Sequence, residues 1–180
     1  EWVGRHTAHY TAWTPCAAAL PAIAYLWLVV RFPDLARWPL SVQHRAYAIG
    51  AGMPIAGLLT LWFFAVNVLS PGDASPLPYL PLVNPLDITL GLALWSVATW
   101  AARLVGIAER ARYRWIGAGL IVALNGVVLR TAHHWGEVPW RLSAQLASKP
   151  LQAALTLTWT LTALTAMVVA TKRRLRPLWM

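Results

Sequence analysis

The chain has 180 residues, of which 58% are hydrophobic and 12% charged, with a formal net charge of +9. Soluble domains carry roughly 25% charged residues, so this one lacks the polar surface of a water-soluble monomer. A single cysteine, Cys16, excludes an intramolecular disulfide and a CxxC metal site.

The twelve Trp residues point to a membrane, because indole rings favour the bilayer–water interface. The positive residues flank apolar runs and build no basic face interleaved with aromatics. They therefore read as topology-setting charge, with no nucleic-acid partner. The chain opens on Glu1-Trp2 without an initiator Met, which suggests a processed or partial chain.

A spanning helix needs about 20 mostly apolar residues. Five stretches qualify, at about 15–31, 46–69, 85–102, 115–135 and 151–171. None has a charge near its centre, where one costs roughly 2.5–3.5 kcal/mol on insertion scales. Pro15 suits a first turn, and Pro54 predicts a kink near one end of the second helix. Small residues four apart (Gly52 with Ala56, Ala98 with Ala102, Gly119 with Ala123, Ala166 with Ala170) suit close helix packing, although Ala and Gly are common in such helices anyway. The expected fold is an all-α polytopic bundle, a single transmembrane domain over 1–180 that is part of a longer protein.

Eleven of the fifteen Lys and Arg fall on one set of alternate connections: Arg31, Arg37, Arg45, Arg103, Arg110, Arg112, Arg114, Lys172, Arg173, Arg174 and Arg176. The other set holds Arg5, Arg130, Arg141 and Lys149. The positive-inside rule then places the N-terminus outside and the C-terminus in the cytoplasm. The Lys172–Arg176 run reads as a stop-transfer and anionic-lipid anchor.

The densest group of ionisable side chains lies at 130–141. Arg130 and His133 share a helix face with Gly126, and His134 follows Arg130 by four residues. Asn125 lies nearby on the same helix. Gly136 fits a helix C-cap and Pro139 stops resumption. Glu137 and Arg141 follow, with Trp135 and Trp140 flanking them. The simpler interpretation is a capped helix end with snorkelling cations. The sharper one is a pocket at the outer face, in which Arg130 and Arg141 meet a phosphate and the indoles stack on the ligand.

Asn84-Pro85-Leu86-Asp87 reads as an N-cap, a first-turn proline and an acid at the third position. That accounts for Asp87 structurally. Asp87 is also the acid at the mouth of helix three, where a carboxylate could orient His133 or His134 for acid–base work. The stiff run Pro76–Pro81 could cover such a pocket. Gln152, Thr156 and Trp159 form a stripe on helix five that either lines the same cavity or bonds to a neighbouring helix.

Adjacent His133 and His134 chelate poorly, since neighbours on a helix point about 100° apart. His6 and His9 add a second pair on the same side, yet no metal and no cofactor is expected. No GxSxG, P-loop, HExxH or dinucleotide fingerprint occurs.

The ordered combination PLPYLPLVNPLD at 76–87, LNGVVLRTAHHWGEVPW at 124–140 and LQAALTLTWTLTALTAMVVATKRRLRPLW at 151–179 resembles a widespread family of predicted bacterial multi-pass membrane proteins of unknown function. The resemblance implies an inner-membrane protein, normally longer, with more helices on both sides. It implies no activity. It rests on Asn84, Pro85, Asp87, Asn125, Arg130, His133, His134, Trp135, Pro139, Trp140 and Gln152.

Three functions follow as expectations. The first is a periplasm-facing pocket for an anionic lipid headgroup or lipid-linked envelope precursor. Its catalytic candidates are His133, His134 and Asp87; its binding candidates are Arg130, Trp135, Glu137, Trp140, Arg141, Asn84, Asn125 and Gln152. The second is a proton-coupled transporter, disfavoured by the lack of a mid-membrane carboxylate. The third is a structural subunit among other membrane chains. Membrane lipids are the expected partners.

Overall fold

The structure is a computed structural model that describes residues 12–32 and 42–172. His6, His9, Arg5, Arg37, Arg173, Arg174 and Arg176 lie outside the described residues. Among those described, every regular element is helical, and five helices are long and apolar enough to cross a membrane. The α-helices are α1 (Trp13–Arg31), α2 (Gly52–Leu69), α3 (Pro85–Trp100), α4 (Glu109–Trp135), a short α5 (Leu142–Ala147) and α6 (Lys149–Lys172); with their adjoining π-type turns, the second and third candidate spans run Ala46–Leu69 and Pro85–Val105. The chain divides into two compact units, Glu1–Arg130 and Thr131–Met180.

In the first unit, α1, α2 and α3 share a core. Ala19, Ile23 and Leu26 of α1 pack with Ala56 and Leu59 of α2 and with Ala93 and Trp100 of α3. Small side chains dominate these contacts because helices in lipid associate by close packing. A β-carbon on Gly52 would stand 2.5 Å from the Trp100 indole nitrogen, and one on Gly119 would stand 2.5 Å from Leu94. In two of the four small-residue pairs, the glycine therefore admits a neighbour's large side chain.

Helix α2 is entered through π-type turns at Ala46–Ala51. Proline has no N–H and its ring crowds the carbonyl four residues back, so Pro54 cannot close a regular turn onto Gly50. The widened turns are tied to neighbours: Tyr25 donates to the Tyr47 carbonyl at 2.9 Å and the Trp100 indole to the Ala48 carbonyl at 2.7 Å. Helix α3 likewise ends in π-type turns at Ala101–Val105, closed by Gly106 at φ 74°.

The opposite end of this unit is capped by the connection 70–84. The Ala12 N–H donates to the Asp73 carbonyl, and the Trp13 indole donates to the Ser75 carbonyl at 3.1 Å. Cys16, Phe63, Ala74, Leu86 and Leu90 form a second apolar cluster beneath.

In the second unit, the Ser148 hydroxyl accepts the Leu151 N–H at 3.3 Å, which starts α6. Thr156, Thr158, Thr160 and Thr162 each donate to the carbonyl four residues back at 2.7–2.8 Å. That bonding lets a threonine-rich helix satisfy its hydroxyls by itself in an apolar medium. Leu157, Trp159, Leu161 and Leu164 are exposed along it.

Candidate functional site

The first unit holds a buried ion pair. Arg130 Nη2 donates to Asp87 Oδ1 at 2.7 Å, with side-chain exposures of 0% and 4%. Local sequence builds the acid side. Asn84 caps α3, its Oδ1 accepting the Leu86 N–H at 2.9 Å and its Nδ2 donating to the Gly72 carbonyl at 2.9 Å. Pro85 takes the first helical position, and Asp87 reaches back to accept the Leu82 N–H at 3.2 Å. Leu82 sits at φ 67°, a left-handed backbone that turns its N–H toward that carboxylate.

Two glycines make room for the guanidinium. A β-carbon on Gly126 would meet Asn67 Oδ1 and lie 2.9 Å from Arg130 Nη2. Gly72, at φ 76°, has Arg130 Cδ 2.6 Å from where its β-carbon would be. Buried Tyr79 closes the side by donating to the Val127 carbonyl at 3.4 Å. Tyr79 is the residue of the 76–81 run that packs beside this pair. Asn67 Nδ2 donates to the Phe63 carbonyl at 2.9 Å, while Asn67 Oδ1, Arg130 Nε and Arg130 Nη1 are buried without hydrogen bonds. Asn125 Nδ2 donates to the Ile121 carbonyl of its own helix at 2.8 Å.

The second unit holds the imidazoles, Trp135, Glu137, Trp140, Arg141 and Gln152. Helix α4 ends at Trp135, and the N–H groups of Gly136 and Val138 both donate to the Ala132 carbonyl, at 3.0 and 3.2 Å. The left-handed residue of this stop is Glu137, at φ 52°, where glycine is the usual occupant. Gly136 serves in a different way: a β-carbon there would lie 2.8 Å from the Ala132 carbonyl oxygen.

The turn folds back on His133, whose Nδ1 lies 2.7 Å from the Val138 carbonyl oxygen. A carbonyl only accepts, so Nδ1 carries a proton, and Nε2 is the ring's second polar atom. The His134 ring lies edge-on at 4.9 Å from His133, and the Trp140 ring at 5.7 Å. Trp135, Glu137 and Arg141 are exposed. Exposed Gln152 donates from Nε2 to the Leu146 carbonyl at 2.6 Å, and the Thr156 hydroxyl donates to the Gln152 carbonyl. Among the described residues, no group of three or more His, Cys, Asp or Glu is placed to hold a metal.

A family model described as Predicted membrane protein (DUF2339) matches residues 1–180. The chain belongs to that family. No curated protein and no solved structure matches it. For this DUF2339 chain the match agrees with the multi-pass membrane reading and adds no chemistry.

Sequence reasoning singled out Asp87 and Arg130 but not their pairing. It also missed Gly72 and Tyr79 beside the pair, and it noted Asn67 only as a polar group within a spanning helix. The available signal was Gly126, four residues before Arg130 on one helix face, which leaves space beside the guanidinium.

Proposed function

We propose that the chain is a bacterial inner-membrane protein of the cell envelope. Its end around 133–141, on the outer face, binds the phosphate of an anionic lipid or lipid-linked envelope precursor. One observation carries this reading: His133 is held through Nδ1 by the Val138 carbonyl at 2.7 Å, with Trp140 against its ring. Fixing one nitrogen in this way aims the other, as an outer-shell partner aims a ligating imidazole. Nε2 is then the ring atom offered to a bound phosphate oxygen. Exposed Arg141 supplies the charge that a phosphate needs. Exposed Trp135 anchors this end at the interface.

Arg130 is left out of the phosphate contact in this reading. Its charge is already matched by Asp87 within the first unit. The Lys and Arg distribution supports placing 133–141 on the outer face.

Binding of a short polyprenyl phosphate to the purified chain tests this. Replacing His133 and His134 with Ala should remove that binding while leaving the melting temperature unchanged. Full binding by the double variant would end the reading.

A further inference from the structure

The first unit also holds a cleft whose lining does not include the Arg130–Asp87 pair. This apolar cleft of about 480 Å³ separates α4 from α2 and α3, within the roughly 300–1,000 Å³ of small-molecule pockets. Met53, Gly57 and Phe64 of α2, Val97 of α3, and Ile116 and Ala118 of α4 are among its walls. Beyond it the seam is filled, because Val122 and Ala123 of α4 pack against the cluster of Phe63 and Leu90.

The cleft is therefore confined to part of the helix length. Met53 to Phe64 covers roughly 16 Å of helix. The hydrocarbon of one leaflet is roughly 15 Å deep, half of a 30 Å core. A spanning helix would need a groove along the whole bilayer, whereas a lipid tail needs only this depth. Arg112 lines the cleft, with its Nε buried and without a hydrogen bond. Its Nη2 lies 3.4 Å from the Tyr113 hydroxyl and 3.9 Å from Glu109 Oε1, and its guanidinium lies over the Tyr113 ring at 5.0 Å. Trp115 stands exposed on the rim, as an interfacial indole does. Around this end the sequence places Arg103, Arg110, Arg112 and Arg114 against one acid, Glu109.

We propose that this cleft is a binding site for an anionic phospholipid, with one acyl chain between α4 and the α2–α3 pair and the phosphate at Arg112. The site is independent of the proposal for 133–141. Positive-inside topology places its arginines on the leaflet rich in anionic lipid.

Native mass spectrometry tests it. The purified chain is offered equal amounts of phosphatidylglycerol and phosphatidylcholine with matched chains. The wild type should retain phosphatidylglycerol selectively. Arg112→Gln should lower that selectivity about tenfold, the loss of one charge-assisted contact. Gly57→Leu should abolish retention of both lipids by filling the cleft; nothing lies within 4 Å of where its β-carbon would stand. Ala118→Leu, from the opposite wall, should do the same and covers the case in which Gly57→Leu melts early. Retention unchanged in both filling variants would overturn the proposal. So would undiminished selectivity in Arg112→Gln, or a lipid-free dimer seated through this face.

Discussion

Arg130 and Asp87 lie 43 residues apart and meet at 2.7 Å with their side chains almost wholly buried. The contact ties Arg130 of α4 to the start of α3. Removing two charges from water is costly, so such a pair adds little stability over an apolar substitute. Breaking it is different, because it strands a charge in the interior.

Asp87→Ala should therefore lower stability by about 3–5 kcal/mol. Thermal unfolding in detergent, followed by circular dichroism, reads this as a large drop in Tm. The double variant Asp87→Leu with Arg130→Met should recover most of the loss. A double variant as unstable as the single one would show that the pair does more than neutralise itself.

The guanidinium also depends on two missing β-carbons. Gly126→Ala drives a methyl group against Asn67 Oδ1 and the guanidinium, and Gly72→Ala adds backbone strain at φ 76° to a clash with Arg130 Cδ. Each should cost about 1–3 kcal/mol, the range for overpacking. By contrast Gly91→Ala, with nothing within 4 Å, should be neutral or stabilising, and the same melting series compares all three.

Neighbouring positions at the end of α4 should respond with opposite signs. Glu137 carries the left-handed conformation, which costs an L-residue roughly 1–2 kcal/mol and glycine almost nothing. Glu137→Gly should raise Tm. Gly136→Ala should lower it, because its methyl would sit 2.8 Å from the Ala132 carbonyl oxygen. Equal effects of the two would contradict the geometry of this helix stop.

The five spanning helices were legible because each is an apolar run of the length a bilayer needs. The α3 start was legible as well, since Asn84, Pro85 and Asp87 form a local pattern whose meaning does not depend on the rest of the fold. Pairings between distant residues were not. Nothing in the local pattern at Asp87 distinguishes a partner 43 residues on from one 46 or 47 on. At 136–137 the sequence offered a glycine for the left-handed step, and the chain placed that step one residue later. The Gln152–Thr156–Trp159 stripe looked able to reach a neighbouring helix, yet the Thr156 hydroxyl is bonded to its own. The cleft beside Arg112 left no trace in the sequence, because a void between helices follows from packing rather than from residue type.

The proposal for the 133–141 end meets its most direct test in a titration. The purified chain is titrated with farnesyl phosphate and, in parallel, with farnesol, with tryptophan emission as the readout. Saturable quenching by the phosphate and none by the alcohol is expected, weakened at least tenfold in Arg141→Gln, as for one lost charge-assisted contact, and absent in His133→Ala with His134→Ala. Equal response to both lipids, or an unchanged curve in the imidazole variant, would contradict a phosphate site at this end of the protein.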